Sequence, residues 1–178
     1  MSTIHKIQNY FLHLSPMKIL LFGYCTIIFI GSCLLSLPIS VRNPQDADFF
    51  TGFFTATSAT CVTGLIKVDT YTHWSFFGQA VILGLIQVGG IGFMTLCISI
   101  MTITKRKIGL VSRSLMQNSV SAPQIGGIVK MTRFIIIGTF LIEGIGVILL
   151  SFHFCSMFGL KKGIWYSIFH SISAFCNA

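Results

Sequence analysis

Acidic residues are scarce in this chain. Its 178 residues include 4 Asp and Glu against 12 Lys and Arg, and charged residues of both signs amount to 9%. A soluble domain carries about 25%, so the polar surface that a water-exposed globule needs is missing. Ordered cysteine patterns are missing too. Cys25, Cys33, Cys61, Cys97, Cys155 and Cys176 form no CxxC pair and no Cys/His set with zinc spacing, and read as small buried thiols. His5, His13, His73, His153 and His170 are equally scattered, which argues against a metal centre and any resident cofactor. There is no GxSxG elbow and no serine tied by motif to a histidine, so an intramembrane hydrolase, or any other enzyme, has no chemistry to work with. The net charge of +8 lacks the aromatic-interleaved patch of a nucleic-acid binder, and nucleic acid is not an expected partner.

Apolar residues are what the chain has in quantity, 53% of the total, with a mean hydropathy of +0.84. An all-α integral membrane protein in contact with lipid is expected. Crossing about 30 Å of hydrocarbon takes about 20 residues, and three stretches suffice: 17–37, stopped by Pro38, then 76–103 and 134–158. The first is not a cleaved leader, because its core is too long and no small-x-small site follows. Ahead of it, Ile4, Ile7, Phe11 and Leu14 share one helical face, so residues 1–16 read as a cytoplasmic interfacial helix. The excess of basic residues on the cytoplasmic side orients the chain. With Lys6, Lys18, Lys105, Arg106, Lys107, Arg113, Lys130 and Arg133 inside, the N-terminus is inside and 104–133 is a basic cytoplasmic connector. Arg42, Lys67, Lys161 and Lys162 remain outside.

Residues 49–65 are too polar for a span and too apolar for an ordinary loop. Long apolar segments flank them, so they read as a re-entrant segment entering from outside. Irregular backbone at membrane depth survives only inside protein or along a water-filled path. A helix over 49–60 is about 18 Å long, half a bilayer, and its C-terminal end, partially negative, favours a cation. β-Branched residues then predict extended backbone through Cys61, Val62 and Thr63, ended by Gly64. Carbonyls of Thr60, Cys61, Val62 and Thr63 can thereby face one axis, the arrangement that replaces the hydration shell of K+. The competing reading makes Thr57, Ser58, Thr60 and Thr63 polar contacts inside a bundle.

The segment recurs. Phe54, Ser58, Ala59 and Cys61 match Phe169, Ser173, Ala174 and Cys176 at an offset of 115 residues, and the spans before them are offset almost equally. The unit is span, re-entrant segment, span: 17–103 is the first copy. The second covers 134–178, with a pore helix over 164–175 and the start of a filter.

Three motifs carry a family resemblance: Ser58 to Thr70 (SATCVTGLIKVDT), Ile86 to Met94 (IQVGGIGFM), and Phe169-His170 with Ser173 to Ala178 (SAFCNA). They resemble, in order and over nearly the whole chain from Pro16, the Trk/Ktr/HKT superfamily of K+ transporters, nearest to its KtrB-type membrane subunits. The resemblance implies M1–P-loop–M2 repeats around a central pore, K+ channel-like, in the cytoplasmic membrane. It implies four repeats in a homodimer gated by a cytosolic RCK-type nucleotide-binding subunit. Val62, Thr63 and Gly64 would form one quarter of the filter, and Cys176, Asn177 and Ala178 would begin the second, with K+ held only at filter carbonyls. The fold expected here is incomplete, an N-terminal fragment, since the second filter stops at Ala178. The rivals are a Na+-permeable member, against which Gly64 counts because serine there usually marks Na+ preference, and a non-conducting assembly subunit.

Glu143 lies mid-span, where an ionised carboxylate costs about 2.5–3.5 kcal/mol. It is expected either to pack by hydrogen bonding or to touch the ion path or gate. Gly84, Gly89, Gly90, Gly92, Gly144 and Gly146 read as close-packing surfaces, with a hinge as the alternative.

Overall fold

The computed structural model describes residues 16–92 and 128–178. The interfacial leader up to residue 15, the end of the second span at 93–103 and the connector through residue 127 lie outside the described residues. Helix α1 is Pro16–Leu35. The chain then makes two 3-10 turns, Pro38–Ser40 and Pro44–Asp46. Helix α2 is Phe49–Thr60, α3 is the single turn Thr70–His73 and α4 is Phe76–Ile91. Helix α5, Ile128–Phe158, and α6, Leu160–Cys176, complete the described chain.

Local chemistry sets these boundaries. Pro38 cannot continue α1 but suits the first position of the turn that follows. The Ser40 hydroxyl donates to the carbonyl of Leu34 at the frayed helix end. Asp48, Asp69 and Ser75 cap α2, α3 and α4 by accepting from backbone N–H groups of the first turn. The stretch after α1 is stitched to the one before α4. Arg42 N–H donates to His73 O and Ser75 N–H to Ser40 O, each at 2.9 Å, around an isolated antiparallel bridge between Val41 and Trp74. Behind it lies the core, where Leu35, Val41, Ala56, Trp74, Ile82 and Ile86 are all buried.

The two halves share one packing scheme. Helix α2 runs back along α1, with Gly31 against Ala56 and Gly52 against Ser32 and Ser36. Helix α6 runs back along α5, with Gly146 against Ser171 and Gly163 against Cys155. The pairs Gly31–Ala56 and Gly146–Ser171 are the same pair displaced by 115 residues at both ends.

Among the described residues one helical stretch, Thr132–Phe158, is long and apolar enough to cross a membrane; Leu20–Leu35 and Phe76–Ile91 are shorter apolar helices. Phe134, Phe140, Leu149 and Phe152 on α5 are exposed, a surface suited to lipid and unsuited to water.

Candidate ion-binding turns

Helix α2 does not run into an extended strand. Cys61 is right-handed, at φ −85° and ψ 0°, and Val62 is left-handed, at φ 55°. This corrects the extended backbone expected at Cys61 and Val62. The physical reason is the unpaired carbonyls that every helix end leaves. Thr63 N–H donates to Ser58 O at 3.0 Å and Val62 N–H to Ala59 O at 3.3 Å. These are the two bonds of a Schellman closure, which needs one left-handed residue. The hydrogen bonds outweigh the local preference of a β-branched residue, for which positive φ is an outlier. Gly64, also left-handed at φ 68°, carries the chain onward without that strain.

Helix α6 ends in the same way. Asn177 is left-handed at φ 61° and ψ 41°. Ala178 N–H donates to Ser173 O at 3.0 Å, and Asn177 N–H to Ala174 O at 3.3 Å. Every member of this closure is displaced by 115 residues from its counterpart in the first. The serines brace both turns from inside. The Ser58 hydroxyl donates to Leu65 O at 2.6 Å and contacts the Thr63 hydroxyl at 2.9 Å, while the Ser173 hydroxyl donates to Ala178 O.

At the first turn the carbonyls of Thr57, Ser58 and Ala59 accept from the N–H groups of Cys61, Thr63 and Val62. The carbonyls of Thr60, Cys61, Val62, Thr63 and Gly64 accept no hydrogen bond from any described residue. Thr60 is buried, with its carbonyl against Gly89; Cys61, Thr63 and Gly64 are exposed, and Val62 is half-buried. In the second turn Cys176 and Ala178 are half-buried and Asn177 is exposed. The turns are neighbours: a Cβ built on Gly64 would stand 3.8 Å from the Ala178 carbonyl carbon. A cavity of about 170 Å³ lies between them, lined by Ser58, Gly64, Leu65, Ser173 and Ala178 among others. Both helices aim their C-terminal, partially negative ends at this place.

Helix α4 backs both turns. The α-carbon of Gly89 packs on the Thr60 carbonyl, and that of Gly90 on the Cys176 side chain, so neither position has room for a Cβ. Gly92 ends the helix at φ 85°. Gly84 and Gly144, expected among the packing glycines, have nothing within 4 Å of an added Cβ among the described residues. Glu143 is buried and is held from two sides. Its carboxylate accepts from Gln87 Nε2 on α4 at 2.9 and 3.0 Å, and its backbone carbonyl accepts from the Ser171 hydroxyl on α6 at 2.8 Å.

Two further ties were not among the expected site residues. Gln79 accepts from Trp165 Nε1 at 2.9 Å and donates to Trp74 O at 3.2 Å, joining α4, α6 and the outer loop. Lys67, just past the first turn, reaches back to the start of α2, donating to Thr51 Oγ1 at 2.8 Å and lying 3.6 Å from the Asp48 carboxylate. The Thr51 hydroxyl and the Thr51 and Phe50 N–H groups hold the Asp48 carboxyl below its ordinary range, with Lys67 adding to them. Only the acid-to-cap spacing of Asp48 and Thr51 hinted at this in the sequence.

A helical, strongly apolar chain has two equivalent helix ends turned toward one place, and the first is followed by five carbonyls without a partner among the described residues. That is the layout of a protein that handles cations. The chain belongs to the TrkH family of cation transport proteins, whose family model matches residues 23–178. It is 43% identical over 164 residues to the Ktr system potassium uptake protein B of Bacillus subtilis, covering 92% of this chain and 36% of that protein. It is 40% identical over 165 residues to the potassium/sodium uptake protein NtpJ of Enterococcus hirae, covering 93% of this chain and 37% of that protein. The Ktr system potassium uptake protein D of Bacillus subtilis is 33% identical over 165 residues, 92% of this chain and 37% of its own length. The chain thus spans little more than a third of these relatives.

Proposed function

We propose that this protein takes up potassium through a carbonyl-lined filter to which the turns at Thr60, Cys61, Val62, Thr63 and Gly64 and at Cys176, Asn177 and Ala178 each contribute. The observation that carries the reading is the run of carbonyls, unpaired among the described residues, behind a strained left-handed turn, together with the repetition of that turn 115 residues later. Carbonyl oxygens can stand in for the hydration shell of K+, and two helix dipoles favour its charge at the same point. A filter closed on four sides needs oxygens from more turns than these two, so the activity is that of an assembly in which further turns of this kind complete the ring. Gly89, Gly90 and Gly92, with Glu143, act as the packing behind the filter in this reading and not as a gate.

The same reading makes the chain part of a multi-pass protein of the cytoplasmic membrane, N-terminus inside, with spans, re-entrant segments and connector as read from the sequence. It makes the working unit a homodimer, with a cytosolic RCK-type nucleotide-binding subunit as regulator. A Na+-permeable transporter is the second reading, favoured by the name of the Enterococcus hirae relative, which pairs potassium with sodium. The left-handed glycine at Gly64 supports K+, because backbone oxygens rather than a side-chain hydroxyl then face the ion. Rubidium uptake in the presence of competing Na+ tests this, comparing the full-length wild type with Gly64→Ser. The substitution should weaken discrimination against Na+; unchanged discrimination would remove Gly64 from the filter.

A further inference from the structure

The proposed topology leaves four basic residues of the described chain outside: Arg42, Lys67, Lys161 and Lys162. Lys67 has its counter-charge in Asp48. The other three line one cavity of about 200 Å³, together with Tyr71, Phe76 and Trp165, and no carboxylate lines it. No ion pair among the described residues takes up their charge. Cations gathered without an acid repel one another, and an anion among them would offset that repulsion.

The walls are fixed. The Arg42 guanidinium lies over the Tyr71 ring, 4.7 Å from its centre, and its Nε donates to Trp74 O at 3.4 Å. Trp165 is anchored by Gln79 and packs on Phe76 with ring centres 4.3 Å apart. The Tyr71 hydroxyl is held below the ordinary phenol range, first by the Tyr166 hydroxyl and then by Lys162, with Arg42 adding. Tyr and Trp concentrate at the level of lipid headgroups. Next to the basic cavity, sharing Tyr71, Gln79, Trp165 and Tyr166 with it, lies a larger cavity of about 470 Å³ whose far walls are Phe154, Phe158, Phe169 and His170. Asp69 lines it too, but its carboxylate is taken up by the N–H and hydroxyl of Thr72. Charge at one end and aromatic surface at the other suit an anionic amphiphile.

We propose that Arg42, Lys161 and Lys162 form a seat for the phosphate of an anionic phospholipid, with the body of the lipid against the adjoining aromatic wall. The outer leaflet is its source if the N-terminus is inside. The seat does not depend on which ion is transported.

Native mass spectrometry of the full-length protein, titrated with phosphatidylglycerol or phosphatidylcholine, tests the seat. Wild type should retain phosphatidylglycerol preferentially. Each lysine changed to glutamine should weaken that retention about fivefold, and Lys161→Gln with Lys162→Gln about 25-fold. Phosphatidylcholine retention should not change, and Lys67→Gln should leave both lipids unaffected. Equal retention of the two lipids by wild type would overturn the proposal without any variant having to fold. So would unchanged phosphatidylglycerol binding in the double variant. A third arm uses inorganic phosphate with lipid-free protein: if millimolar phosphate raises its melting temperature as much as phosphatidylglycerol does, the seat takes a free anion and the lipid assignment fails. Ion flux is read in none of these arms, so failure here leaves the transport reading standing.

Discussion

Val62 and Asn177, 115 residues apart, occupy the same left-handed position of the same helix-ending turn, with φ of 55° and 61°. Asparagine tolerates that region and valine resists it, so the first turn holds strain that the second avoids. Strain of this kind persists where surrounding bonds over-determine the backbone, and it clusters at functional sites.

If Val62 is left-handed, Val62→Asn in the full-length protein should be neutral or stabilising by up to about 1 kcal/mol. Thermal unfolding in detergent measures this. A clear loss of stability would indicate an extended backbone at Val62, where asparagine is the poorer residue.

The glycines of α4 should divide by position. Gly89→Ala drives a methyl into the Thr60 carbonyl, a backbone atom with no rotamer to yield, and should cost about 1–3 kcal/mol and disturb ion selectivity. Gly90→Ala meets the Cys176 side chain and should cost less. Gly84→Ala meets nothing among the described residues and should gain up to about 1 kcal/mol from helix propensity. Melting temperatures should rise from Gly89→Ala through Gly90→Ala to Gly84→Ala; equal values would show that α4 does not touch the turns.

Glu143 is bonded to Gln87 across 56 residues of chain. Glu143→Leu strands the half-buried Gln87 amide and should cost about 1–3 kcal/mol, whereas Glu143→Gln keeps an acceptor and should cost less than half as much. The pair Glu143→Leu with Gln87→Leu should recover part of the loss. Strict additivity in that double-mutant cycle would contradict the bond.

Acid should loosen the start of α2. Asp48 is held below its ordinary value, first by the Thr51 hydroxyl. A depressed carboxyl contributes stability above its unfolded pKa, about 3.9, and loses it as pH falls through the folded value. Melting temperature should therefore be flat in this respect from pH 7 to 5 and fall below about pH 4. Asp48→Asn should remove that share of the acid sensitivity; an unchanged profile would show that Asp48 has no part in it.

The sequence made the repeat legible because Ser58, Ala59 and Cys61 recur at a fixed offset, and these are positions where the fold constrains the residue. Ser58 and Ser173 each hydrogen-bond into their own turn, and a change of side chain there would unbrace it. The conformation of Cys61 and Val62 was not legible, because propensity speaks for each residue singly while the helix end must satisfy its carbonyls. Glu143 stood out as a charge inside an apolar stretch, but its partner did not. Gln87 meets it only because α4 packs near the α5–α6 pair, a relation that no local spacing encodes. The bond from Lys67 back to Thr51 likewise depends on the turn reversing the chain.

In the proposed uptake path the carbonyls past α2 hold the transported ion. Anomalous scattering from rubidium, soaked into crystals of the full-length protein in place of potassium, locates that ion directly. The account predicts a peak within coordination distance of the backbone oxygens of Cys61, Val62, Thr63 and Gly64, and its disappearance when sodium replaces rubidium. A rubidium site elsewhere in the protein, with these oxygens facing only solvent or other protein groups, would contradict it.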